Sequence, residues 1–186
     1  MKKILALVLV LIMALGLAAC AAPAAPAEEP TPDAEPETEK VDSQAILAEL
    51  KTPAEESNWE RTTSSQEVID FLKVVAEHSA GRIILDTTTF ATEAGTPIPY
   101  MIISDVAPAS PADVPEDKGV VYVNCNIHSG EIEGKESMMI FAREVAQGKH
   151  DDLLKDLVVI IVPNSNPDGN DNLGKNRITT QFTPKL

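Results

Sequence analysis

Two residues could do chemistry together. His128 offers a neutral imidazole nitrogen, and Glu131, three positions on, offers a carboxylate. Both are zinc-ligand types, with metal distances of about 2.0–2.2 Å. Gly130 between them should let the backbone bend, so that both side chains aim at one point. The helix expected to start just after them favours a carboxylate at its N-terminus and keeps an imidazole neutral. His-x-x-Glu alone is common by chance, and a hydrogen-bonded polar residue at a strand end is the plainer reading of these two residues alone.

The flanking elements must do the positioning. Residues 119–127 (Gly-Val-Val-Tyr-Val-Asn-Cys-Asn-Ile) are a short β-branched run, read as a buried central strand. Residues 133–147 are helical, with Met138, Met139, Phe141, Ala142 and Val145 for a buried face, and Gly148 ends the helix. Residues 151–155 add a turn of helix, and residues 157–162 form a second apolar strand closed by Pro163. Strand, helix and strand make a βαβ-like unit, and ligand sites of open α/β sheets gather at the carboxyl ends of such strands.

Upstream, Ser64 or Ser65 caps a helix running to about Ala80, with a stripe of Val68, Phe71, Leu72, Val75 and Ala76, and Gly81 stops it. Residues 82–90 and 97–104 read as a hairpin around residues 93–96, and residues 107–118 as a proline-bearing loop. Residues 43–50 are weakly helical, and Trp59 lies in an irregular stretch. The expected class is α/β, a mixed sheet covered by helices.

With its surroundings, the motif becomes specific. Asn126–Glu136 (Asn-Ile-His-Ser-Gly-Glu-Ile-Glu-Gly-Lys-Glu) resembles the first metal motif of the zinc carboxypeptidases. Val162–Gly169 (Val-Pro-Asn-Ser-Asn-Pro-Asp-Gly) resembles that family's second signature, and the resemblance runs from about Ser64 to Arg177. It implies an α/β sandwich binding one Zn2+ through His, Glu and a second His plus water, with peptides as substrate. His128 and Glu131 match the first two ligands. A separate glutamate is the family's general base, and an arginine stabilises the oxyanion.

The second histidine ligand and the catalytic glutamate of the family lie far beyond its second signature, whereas this sequence ends at Leu186. His78, on the early helix, and His150, in an exposed loop, do not occupy the family's position. The expectation is therefore an N-terminal, C-terminally truncated part of a catalytic domain: a fragment, a truncated reading frame or a decayed copy. Its zinc ligand set is incomplete, its metal retention weak and its apolar edges exposed. Arg177 is a weak oxyanion candidate, with a loop arginine as the alternative. Asn166, Pro167, Asp168 and Gly169 form a structural turn held by the Asp168 side chain. Glu133 and Glu136 are explained by charge near a helix N-terminus, and Cys125 by its being a small buried hydrophobe.

The N-terminus reads as an address. Lys2 and Lys3 precede sixteen apolar residues, Ile4 to Ala19. As a helix these reach about 24 Å, short of the roughly 30 Å hydrocarbon core, which suits a signal peptide better than a membrane span. The ending Leu17-Ala18-Ala19-Cys20 resembles the lipobox of bacterial lipoproteins, with Cys20 as the lipidation site and membrane anchor. The expected organisation is a signal peptide over 1–19, an acidic proline-rich linker over 20–42 and a domain over 43–186. The implied location is the cell envelope, facing outside the cytoplasm. A formal charge of −14 argues against nucleic acid as a partner. Two cysteines exclude a disulfide-rich scaffold, and nothing selects an oligomeric state. Three functions compete: a tethered zinc metallocarboxypeptidase, a zinc-dependent N-acyl amino-acid deacylase of the same superfamily, and a non-catalytic lipoprotein retaining the scaffold.

Overall fold

The computed structural model describes residues 42–172. Helix starts follow side-chain caps. Asp42 accepts from the Gln44 and Ala45 amides ahead of α1 (Ser43–Glu49). Thr52 with Glu55 makes a capping box for α2 (Pro53–Glu56), and Ser64 with Glu67 makes another for α3 (Ser65–Glu77). Each cap satisfies amides that the helix leaves unpaired and is worth about 1 kcal/mol. The expected stripe of α3 is inside, with Val68, Phe71, Leu72 and Val75 buried. The helix stops earlier than Ala80, because Ala80 (φ 52°) and Gly81 (φ 80°) are both left-handed.

The long helix α4 covers Ile132–Ala146, one residue earlier at each end than its sequence pattern predicts. Gly148, at φ 79°, closes it: the Gly148 amide donates to Val145 O and the Lys149 amide to Glu144 O. That pair of bonds is a Schellman ending, and it needs the left-handed residue that glycine supplies. Helix α5 (Asp151–Leu154) follows, and α6 is Pro167–Asp171.

Four strands form one mixed sheet. The predicted hairpin is present: β1 (Ile83–Asp86) and β2 (Tyr100–Ile103) are antiparallel, joined through a bridge between Ala91 and Pro97. β3 (Gly119–Asn124) and β4 (Leu157–Val162) are parallel, as a strand–helix–strand unit requires. The order is β1-β2-β4-β3, with β2 antiparallel to β4. Register puts Ile83, Ile103 and Val159 on one face with Met101 and Ile161, and these side chains meet α1, α3 and α4 through Leu47, Leu72, Val75, Met139, Ala142 and Val145.

One expectation is overturned here. β3 is not a buried central strand; β4 is central, and β3 is an edge among the described residues. Val120, Val121 and Tyr122 are exposed at 56, 40 and 61%. A β-branched run signals a strand but does not say how many neighbours it has. The expected exposed apolar edge therefore falls on the strand that leads to His128.

Candidate functional site

The chain leaves β3 at Asn124 and enters α4 at Ile132. His128 and Glu131 sit in the connection, where His128 Nδ1 stands 3.1 Å from Glu131 Oε1. Their side chains are 78 and 43% exposed, so they face solvent rather than the core. The Glu131 amide donates to His128 O at 2.9 Å and fixes the tight turn between them. The left-handed residue of this connection is Asn126, at φ 55°, and not Gly130, which has no positive φ. Asparagine tolerates that conformation better than most side chains.

The donors suit a cation. Two ligands about 2.0–2.2 Å from one zinc ion at a near-tetrahedral angle stand roughly 3.3–3.6 Å apart, a few tenths of an ångström beyond the 3.1 Å hydrogen-bonding separation here. An imidazole nitrogen with a carboxylate oxygen is also an ordinary zinc donor set. Among the described residues no cluster of three or more His, Cys, Asp or Glu side chains gathers. The other described histidines are engaged elsewhere. His78 Nδ1 is 3.0 Å from Ser43 Oγ. His150 is half-buried rather than in an exposed loop: its Nε2 lies 2.9 Å from Glu144 Oε2 and its ring packs on Phe141. Arg177 and Cys20 lie outside the described residues.

Helix-terminal charge does not account for Glu136, which is buried on the first turns of α4. It accepts from Thr62 Oγ1 (2.7 Å), the Thr63 amide (2.8 Å) and Thr63 Oγ1 (2.7 Å). Beside it, Lys135 is fully buried, and its Nζ donates to Thr62 Oγ1, Thr63 O and Asn170 Oδ1. Their charges lie 3.5 Å apart. A buried charge persists only when paired and hydrogen-bonded, and both groups meet that condition. Sequence reading missed this network. The signal available was a Lys-Glu pair on the turn of α4 facing the core, four and three residues before the next buried residue, Met139.

The second signature is less a free turn than a helix start. Asn166 caps α6: its Oδ1 accepts from the Gly169 amide at 3.0 Å, while its Nδ2 donates to Ile127 O at 3.1 Å. Gly169 leaves room for this cap, since a Cβ there would stand 2.7–2.9 Å from the Asn166 carboxamide and displace it. Asp168 does not hold this turn. Its Oδ1 instead accepts from Thr96 Oγ1 at 2.5 Å, tying α6 to the hairpin tip, and the hydroxyls of Thr96 and Thr92 lower its pKa. Cys125 is buried against Gly134, and burial pushes its thiol pKa up, as expected of a packing residue.

A cleft of about 550 Å³ opens nearby, lined by Trp59, Arg61, Thr63, Ile132, Asn170 and Asp171 among others. Neither His128 nor Glu131 lines it, so cleft and pair are separate surfaces.

Fold and site together define an α/β protein whose polar residues cluster where a parallel strand pair ends. Residues 69–181 match the family model described as zinc carboxypeptidase. The chain belongs to the zinc carboxypeptidase family. Solved structures agree in fold. Carboxypeptidase A from Helicoverpa armigera matches with a TM-score of 0.51 at 22% identity, over 63% of this chain and 28% of that one. Bovine thrombin-activatable fibrinolysis inhibitor, solved with tick carboxypeptidase inhibitor, matches with a TM-score of 0.50 at 20% identity, over 64% and 36%. A further structure of thrombin-activatable fibrinolysis inhibitor gives 0.53 at 21%, over 73% and 34%. The chain thus spans roughly a third of the length of these proteins. No curated protein sequence matches it.

Proposed function

We propose that this chain carries the first two ligands of a zinc metallocarboxypeptidase, acting on peptides outside the cytoplasm and tethered there by a lipid on Cys20. The observation that supports this best is the 3.1 Å convergence of His128 Nδ1 and Glu131 Oε1 at the carboxyl end of β3, in a member of the zinc carboxypeptidase family. Bound between these donors, zinc would supply polarisation of a scissile carbonyl and a water of lowered pKa. The chain's own part is to hold the two donors. The tight turn closed by the Glu131 amide brings them to the same side of the loop, and the exposed loop leaves room for a peptide to approach. Catalytic zinc sites take three protein ligands as a rule. With the two donors that converge among the described residues, zinc binding is expected to be weak, and residues 1–186 by themselves to release no C-terminal residues from peptides.

The test is a zinc titration of the purified chain, followed by calorimetry or a chromophoric chelator. One ion should bind, and His128→Ala and Glu131→Ala should each abolish the binding. Unchanged zinc content in His128→Ala would refute the ligand assignment. The tether is tested separately by growth with labelled palmitate, which should mark the wild type and not Cys20→Ala.

A further inference from the structure

The loop bearing His128 and Glu131 is exposed, yet both of its flanks are anchored at a single buried atom. Asn126, two residues before His128, donates from Nδ2 to Asn170 Oδ1 at 3.1 Å. Lys135, four residues after Glu131, donates from Nζ to that same oxygen at 2.5 Å. Asn126, Lys135 and Asn170 are 3, 0 and 1% exposed. A carboxamide oxygen has two lone pairs, so these two donors saturate it.

The anchor is itself fixed. Asn170 Nδ2 donates to Thr63 O at 3.1 Å and to Asp171 Oδ1 at 2.9 Å, which orients the amide and sets where its oxygen points. Asn126 Nδ2 also donates to Asn164 Oδ1 at 2.7 Å, and Asn164 Nδ2 in turn to Ser65 Oγ at 3.0 Å. In between, Ile127 is 53% exposed and the His128 side chain 78%, while Ser129 is buried and Ile127 O accepts from Asn166 Nδ2, so polar anchors hold the loop more than apolar packing does. Ordering a free backbone costs conformational entropy at every residue fixed. A loop pinned at both flanks has met that cost before a ligand arrives.

We infer that Asn170 is a positioning residue, whose carboxamide oxygen clamps residues 126–135 at both ends and so sets the separation of His128 and Glu131. The inference rests on the proposed reading of that pair as metal ligands. It gives the second signature a task toward the first: the helix that follows Asn166-Pro167-Asp168-Gly169 carries the anchor.

The experiment compares three variants of the full chain. Asn170→Ala removes the accepting oxygen, while Asp168→Asn, on the same helix, leaves both arms of the clamp in place. Asn126→Gly removes one arm and keeps a residue at ease at positive φ. The first readout needs no metal. Amide hydrogen exchange at residues 128–131 should speed up about tenfold or more in Asn170→Ala and Asn126→Gly, and stay within about threefold of wild type in Asp168→Asn, while α3 and β4 amides keep their protection. A merely structural role would raise exchange throughout. The second readout is zinc affinity, which should fall about fivefold or more in Asn170→Ala and stay within about twofold of wild type in Asp168→Asn. Unchanged exchange at 128–131 in both Asn170→Ala and Asn126→Gly overturns the inference, as does acceleration spread evenly over the domain. If Asn170→Ala does not fold, Asn126→Gly decides. If exchange responds as expected but the wild type binds no zinc through His128, the ligand reading fails and the clamp stands.

Discussion

His128 Nδ1 and Glu131 Oε1 lie 3.1 Å apart across a turn closed by the Glu131 amide and the His128 carbonyl. The pair is largely exposed, at 78 and 43%, and buries no apolar surface of note. An exposed ion pair contributes about 0–1 kcal/mol, so an arrangement this specific is not explained by stability. His128→Ala should therefore change unfolding free energy by less than about 0.5 kcal/mol in urea denaturation, while zinc binding is lost. A large destabilisation would place His128 in the fold's energetics instead.

Lys135 and Glu136 should behave in the opposite way. Lys135 is fully buried and Glu136 nearly so, with their charges 3.5 Å apart and three hydrogen bonds on the Glu136 carboxylate. Lys135→Met leaves the carboxylate without its cation and strands Thr63 O and Asn170 Oδ1 short of a donor. The cost should be about 3–5 kcal/mol, read from urea denaturation. In a double-mutant cycle with Glu136→Gln, the combined loss should fall short of the sum of the single losses by more than about 0.5 kcal/mol.

A third prediction concerns acid. The Arg61 guanidinium, 2.8 Å away, holds the Glu67 carboxyl at about 2, below its ordinary 4.5. A depressed carboxylate stabilises the fold above its unfolded pKa, and that contribution is lost as pH falls through the folded value. Stability should thus decline between about 4.5 and about 2. Glu67→Gln should flatten that part of a thermal-denaturation profile, and the effect should shrink in salt because both side chains are partly exposed. Ser64→Ala, which breaks the same capping box, should cost about 1 kcal/mol at neutral pH.

The edge that β3 forms among the described residues carries a fourth. Val120 and Tyr122 share the sheet face away from α3 and α4, and both are more than half exposed. Unpaired edge strands with apolar side chains invite intermolecular pairing. The purified chain should self-associate as its concentration rises in sedimentation or light scattering, and Val120→Lys should suppress this without lowering the unfolding midpoint by more than a few tenths of a molar urea. A variant that associates as readily as wild type would show that the edge is not the contact.

Local sequence determined most of the elements and the family. Ser64 with Glu67, Gly148 and the stripe over Val68–Val75 specify α3 and the end of α4, because capping and helical periodicity are local properties. The two motifs, in order, placed the chain among the zinc carboxypeptidases. Tertiary structure alone decided which strand is central, since hydrophobic runs do not encode their neighbours. Among the described residues it made β4 central and left β3 at an edge. It also decided the roles within the signatures. Asp168 reaches Thr96 on the hairpin, 72 positions away, and Glu136 reaches Thr63, 73 positions away. Neither partner could be read from residues that are distant in sequence and meet only once the helices have packed on the sheet.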